Sequence, residues 1–107
     1  MPYIKTDKRE IVKKQLCDLI TSVVDACSGD VSALPGVLNY CVTALIKSTY
    51  RLVTNKSVLS YADHNSAIGM LECAKMEFYR RDTSPYEDEK IRENGDVEKT
   101  FFIDHTR

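Results

Sequence analysis

A chain of 107 residues with 43% apolar side chains supports one self-sufficient domain, burying roughly 60 to 68% of the surface that its unfolded form exposes. Fifteen bases against sixteen acids leave a net charge of -1, so no global field drives the chain toward nucleic acid, a membrane surface or an acidic substrate. Cys17, Cys27, Cys41 and Cys73 show no C-x-x-C spacing, and each lies in a helical pattern, where a reduced thiol behaves as a small apolar side chain. The opening Met1-Pro2-Tyr3-Ile4-Lys5 lacks the apolar core of a secretory signal, and no apolar run is read as approaching the ~18 to 20 residues of a membrane span. A soluble, cytoplasmic protein with no membrane contact is expected.

The first helix is predicted over residues 7–28. Asp7 can accept from the free amides of the first turn while Glu10 reaches back, as in a capping box. Val12, Leu16, Leu19, Ile20, Val23 and Cys27 recur at intervals of three and four, and Gly29 can take the left-handed conformation that ends a helix. A loop follows to Leu34.

Pro35 suits the first turn of a second helix, predicted over 35–54, because its missing amide would have no helical partner there. Leu38, Cys41, Val42, Leu45, Leu52 and Val53 form one stripe; Tyr40, Thr43, Lys47 and Tyr50 form another. A helix covered by one neighbour needs only one stripe, which places this one at the centre of a bundle or at a subunit contact.

Ser60 followed by Asp63 marks a third start, with a helix over 61–81. Between Ala67 and Tyr79 only Glu72, Lys75 and Glu77 are charged, so double-sided burial is expected here too. Ser84-Pro85-Tyr86-Glu87 combines a capping serine, proline at the first helical position and glutamate at the third, the clearest local signal in the chain, and announces a short acidic fourth helix ending at Asn94-Gly95. Thr100-Phe101-Phe102-Ile103 then forms an apolar stretch in an extended C-terminal tail, 98–107, beyond a single helical domain, 1–97. The fold class is therefore all-α: a bundle of three main helices and a short fourth, with sequential helices antiparallel. Since the second and third helices carry more apolar surface than three helices cover, a homo-oligomer is expected, a dimer or higher.

Chemistry concentrates after Glu77, where the run to Val97 carries six carboxylates (Asp82, Glu87, Asp88, Glu89, Glu93, Asp96), four bases and two tyrosines. Arg80 and Arg81 offer guanidinium forks for a phosphate or carboxylate, and Tyr79 and Tyr86 could stack on a base. These four are the candidate ligand-binding residues. Their bland role is equally concrete, because Glu77 precedes both arginines by three and four residues, in the order that favours helical ion pairs. No catalytic residue stands out. His64 and His105 are the only histidines, far apart, and no Gly-rich phosphate loop or nucleophile elbow is present, so no metal and no cofactor are expected. Glu89, Glu93 and Asp96 could form half of a magnesium site on one helix face, which keeps a metal-dependent all-α nucleotide pyrophosphatase-like hydrolase as an alternative. The basic first helix, with five bases between Lys5 and Lys14, keeps a small DNA-binding regulator as another, although no recognition-helix signature accompanies it and no nucleic-acid partner is expected.

Met1-Pro2-Tyr3-Ile4, Leu38-Asn39-Tyr40-x-x-Thr43, Glu72-Cys73-Ala74-Lys75-x-Glu77-Phe78-Tyr79-Arg80-Arg81 and Pro85-Tyr86-Glu87-Asp88-Glu89-Lys90-Ile91-x-x-Asn94-Gly95-Asp96-Val97 together resemble a family of small uncharacterised proteins of tailed phages and prophages. The resemblance reaches Val97, and the tail departs from it. It implies an origin and no mechanism. A phage origin in turn implies a non-enzymatic accessory directed at the host, anti-defence in character, which binds a host protein or sequesters a small anionic signalling nucleotide in the bacterial cytosol.

Overall fold

In the computed structural model, residues 2–97 are described, and their regular structure is entirely helical, with no strand among them. The all-α expectation holds. The helices are α1 (Thr6–Cys27), α2 (Leu34–Thr54), α3 (Tyr61–Phe78) and α4 (Ser84–Asn94), with a 3-10 turn at Val31–Ala33 and a π-helical turn at Tyr79–Thr83. The described residues divide into two compact units, the first ending at Ile68 and the second beginning at Gly69.

In the first unit, α1 starts one residue ahead of expectation. Lys5 holds the N-cap position without a side-chain acceptor, and Arg9 donates to the Thr6 hydroxyl at 2.8 Å. The expected capping box of Asp7 and Glu10 does not form, because Asp7 already lies inside the first turn, where its carboxylate faces the positive end of the helix dipole. Ser28 and Gly29 both take positive φ, 49° and 78°, and end the helix. Asp30 then accepts from the amide of Ser32 at 3.0 Å and from its hydroxyl at 2.6 Å, which starts the 3-10 turn and holds the Asp30 carboxyl below its ordinary pKa. Pro35 sits in the first turn of α2 as expected.

Helix α2 ends at Asn55, whose φ of 55° turns the chain. The α3 start is the capping box that Ser60 and Asp63 announce: the Ser60 amide donates to the Asp63 carboxylate at 2.9 Å, and the Asp63 amide donates to the Ser60 hydroxyl at 3.3 Å. Lys56 adds an ion pair to the same carboxylate at 2.8 Å, and Tyr50 and Ser66 share a hydroxyl hydrogen bond at 2.8 Å that ties α2 to the first turns of α3.

Helices α1 and α2 form a hairpin around one apolar groove of about 380 Å³, to which α1 contributes Leu16, Ile20 and Val24 and α2 contributes Leu34, Leu38 and Leu45 among others. The hairpin closes very little. Among the described residues only Val23 and Ala67 are buried, so the expected double-sided burial of α2 and α3 is not achieved. Leu16, Ile20, Val24, Leu38, Val42 and Leu45 line the groove and keep between 40% and 63% of their surface open. Completing their burial would contribute roughly 5 to 9 kcal/mol per chain at the usual 1.5 to 3 kcal/mol for each fully buried side chain, comparable to the whole net stability of a domain.

The expectation that no run approaches a membrane span is also corrected. Residues 31–54 are long and apolar enough to cross a bilayer by length and composition, with a mean hydropathy of 1.2. Asn39, Thr43, Lys47 and Arg51 are spread along this segment, and the hydroxyl of Thr43 donates to the side chain of Asn39 at 3.1 Å.

In the second unit the chain does not break where the Ser84-Pro85 signal announced a new helix. Thr83 and Ser84 both keep helical φ and ψ, and no side chain caps the start of α4. Pro85 has no amide to offer the Arg81 carbonyl, and its ring crowds that carbonyl. The helix absorbs the conflict by widening: the Ser84 amide donates to the Tyr79 backbone carbonyl, five residues back, and residues 79–83 form a π turn that leads directly into α4. Gly95, at φ 88°, ends α4 with its amide on the Ile91 carbonyl at 2.8 Å. The tail 98–107, with Phe101, Phe102 and Ile103, lies outside the described residues.

Candidate functional site

The widened turn carries three of the four residues singled out by their chemistry, Tyr79, Arg80 and Arg81, and Tyr86 follows one turn into α4. Their contacts run to residues outside the set. Arg80 grips Glu77 at 2.6 Å, three residues back on α3, so the structural role proposed for Glu77 holds for this arginine. The side chain of Arg81, which has the same glutamate four residues behind it, makes no ion pair or hydrogen bond among the described residues. The hydroxyl of Tyr79 donates to a carboxylate oxygen of Glu87, and this contact raises the Tyr79 pKa above its ordinary value. Lys90 lies over the Tyr86 ring, 5.5 Å from its centroid, one helical turn on.

The partnership of Tyr79 with Glu87 was not anticipated, since residues eight apart do not share a face of a regular α-helix. The π turn inserts one extra residue, so that position +8 comes round to where +7 would otherwise stand. The sequence signal is Pro85 lying between two helical patterns in phase.

Between Glu77 and Val97 carboxylates outnumber bases, seven to four. Glu89 pairs with Arg92, and Glu93 pairs with Lys90 at 3.1 Å, so two members of the half magnesium face are committed to neighbouring cations on their own helix. Among the described residues no group of three or more His, Cys, Asp or Glu side chains is arranged to hold a metal ion. His64 is exposed near the start of α3, with its amide on the Ser60 carbonyl at 3.1 Å, and the four cysteines are free thiols. Beside the network, a shallow recess of about 540 Å³ runs along α4 to Val97, lined by Tyr86, Lys90, Ile91 and Asn94 among others. Phe78 is 66% exposed at the end of α3 and Tyr86 is 61% exposed, so this unit offers large aromatic surface on the same helical run as Arg81, whose side chain has no partner among the described residues.

Neither a curated protein nor a solved structure matches the chain. A family model does match it, over residues 1–97, and the chain belongs to that family, described as a domain of unknown function (DUF6899).

Proposed function

We propose that the chain is a non-enzymatic binding protein, a host-directed accessory of the phage type, which recognises a host-cell protein in the bacterial cytosol through the face around the π turn. What supports the reading is the combination of Phe78, Tyr79 and Tyr86 as exposed rings with Arg81 as a cation that no carboxylate of its own helix engages. Tyrosine and arginine dominate the energetics of protein interfaces, because they bring large rigid area and directional donors together. A π turn also re-aims side chains at a fixed angle, a device often found at functional positions.

A small anionic nucleotide is the second ligand class that Arg81 fits. It is less well served here, since four carboxylates, Glu77, Asp82, Glu87 and Asp88, lie within seven residues of Arg81 along the chain.

The test is a pair of measurements on wild type and Arg81→Ala. A photo-crosslinking group at position 86 is expected to capture one host protein with the wild type and to lose it with Arg81→Ala at unchanged melting temperature. A thermal-shift screen of linear and cyclic nucleotides is expected to be flat for both proteins, and a nucleotide that stabilises only the wild type would replace the protein partner by the nucleotide.

A further inference from the structure

We infer that the open groove of the α1–α2 hairpin is the interface for a second copy of this chain, two hairpins completing one four-helix core around a two-fold axis. The inference concerns the first unit and is independent of the binding role of the π turn.

Four features of the hairpin select this occupant. Its helices are nearly equal in length, 22 and 21 residues, so each presents a seam of the same extent, as the half of a four-helix bundle must. The groove is continuous with a second apolar depression of about 210 Å³ at the turn end, which shares Val24 and Leu34 with it and reaches Val31. The apolar strip thus runs from the middle of the hairpin past its turn, longer than a small ligand would fill.

The area also fits. Six groove residues left 40% to 63% open expose at most on the order of 500 Å² per chain, an upper bound that approaches the apolar share of the roughly 800 Å² that each partner buries in a stable complex. Charge points the same way. From Val31 to Ala62 there is no acidic residue, and Lys47, Arg51 and Lys56 are the only bases, all in the half away from the turn. Depletion of charge is what marks the core of a permanent interface, and a two-fold contact meets it with an equally uncharged strip.

The test uses the full chain. Light scattering at tens of micromolar is expected to give the mass of two chains. Mixed labelled and unlabelled protein is expected to give intermolecular methyl contacts among Leu16, Leu38 and Leu45. Leu45→Glu is expected to weaken self-association at least ~100-fold, because a carboxylate would be buried without a partner. If that variant does not fold, Leu45→Ala is expected to raise the dissociation constant by ~10-fold or more, as truncation of an interface anchor does. A monomer at these concentrations overturns the inference. So does a dimer whose intermolecular contacts avoid the groove. Contacts from Phe101 or Phe102 of the same chain to the Leu38 methyls would assign the groove to the tail instead.

Discussion

The amide of Ser60 and the carboxylate of Asp63 meet at 2.9 Å, and the Lys56 ammonium reaches the same carboxylate oxygen at 2.8 Å. The first turn of α3 is therefore held by an ionised acid, with Lys56 as the largest influence and the Ser60 amide and hydroxyl after it, and the Asp63 pKa is lowered to about 2. Since the unfolded chain binds this proton near its ordinary value of 3.8, the contribution is complete above about pH 4 and is lost as the pH falls toward 2. Melting temperatures of wild type and Asp63→Asn should converge over that window. Curves that stay parallel from pH 5 to 2 would show that the carboxylate does not hold the turn.

The phenol of Tyr79 carries the opposite sign. Its neutral form donates to Glu87, so its folded pKa is raised; the stabilisation is present at neutral pH and below, and disappears as the pH rises through the folded value. Glu87→Gln should bring one tyrosine of the ultraviolet titration back toward the ordinary range and flatten the alkaline limb of the stability curve. A titration identical in the two proteins would mean that the contact is absent in solution.

Two glycines should respond in opposite directions to alanine, although neither has any atom within 4 Å of the added carbon. At Gly29, with φ 78°, alanine must adopt the left-handed region, and a loss of about 1 to 2 kcal/mol is expected. Gly69 lies inside α3 with ordinary helical geometry, where alanine should add about 0.5 to 1 kcal/mol. Chemical denaturation of the two variants checks the pair, and a loss at Gly69 would mean that something outside the described residues packs against it.

Arg80 and Arg81 should separate cleanly. Removing Arg80 breaks the pair with Glu77 and should lower stability by roughly 0.2 to 0.5 kcal/mol, the usual range for such helical pairs. Arg81→Ala should leave the melting temperature unchanged within the ±0.5 kcal/mol typical of surface positions. Comparable losses in both variants would return Arg81 to a structural role.

The helical periodicity was legible because it depends only on spacing along the chain. The Ser60–Asp63 start was legible for the same reason: both members of the box are local, and no competing signal stands beside them. Asp7 with Glu10 offered the same chemistry and was not used, since Thr6 is already helical and removes Asp7 from the cap. Ser84-Pro85 misled in a more instructive way. Proline excludes one hydrogen bond and leaves the chain two remedies, a break or a widened turn, and its residue types do not choose between them. Burial was the least legible quantity. Apolar residues on two faces of α2 say that those faces are to be covered, while the covering surface is not written into the periodicity of the helix itself.

The widened turn has a consequence for how this surface could change. Five residues occupy the span between α3 and α4, and loss of one of them, Asp82 for instance, would set Pro85 against a regular α-helical ladder, at the ~3 kcal/mol or more that proline costs inside a helix. The angular relationship would survive the loss, because Glu87 would then stand seven residues from Tyr79, at the angle that the widened turn gives it at eight. The extra residue thus serves the proline and not the phase of the helix: it lets Pro85 sit inside one continuous helical run that keeps Tyr79 and Glu87 on the same face.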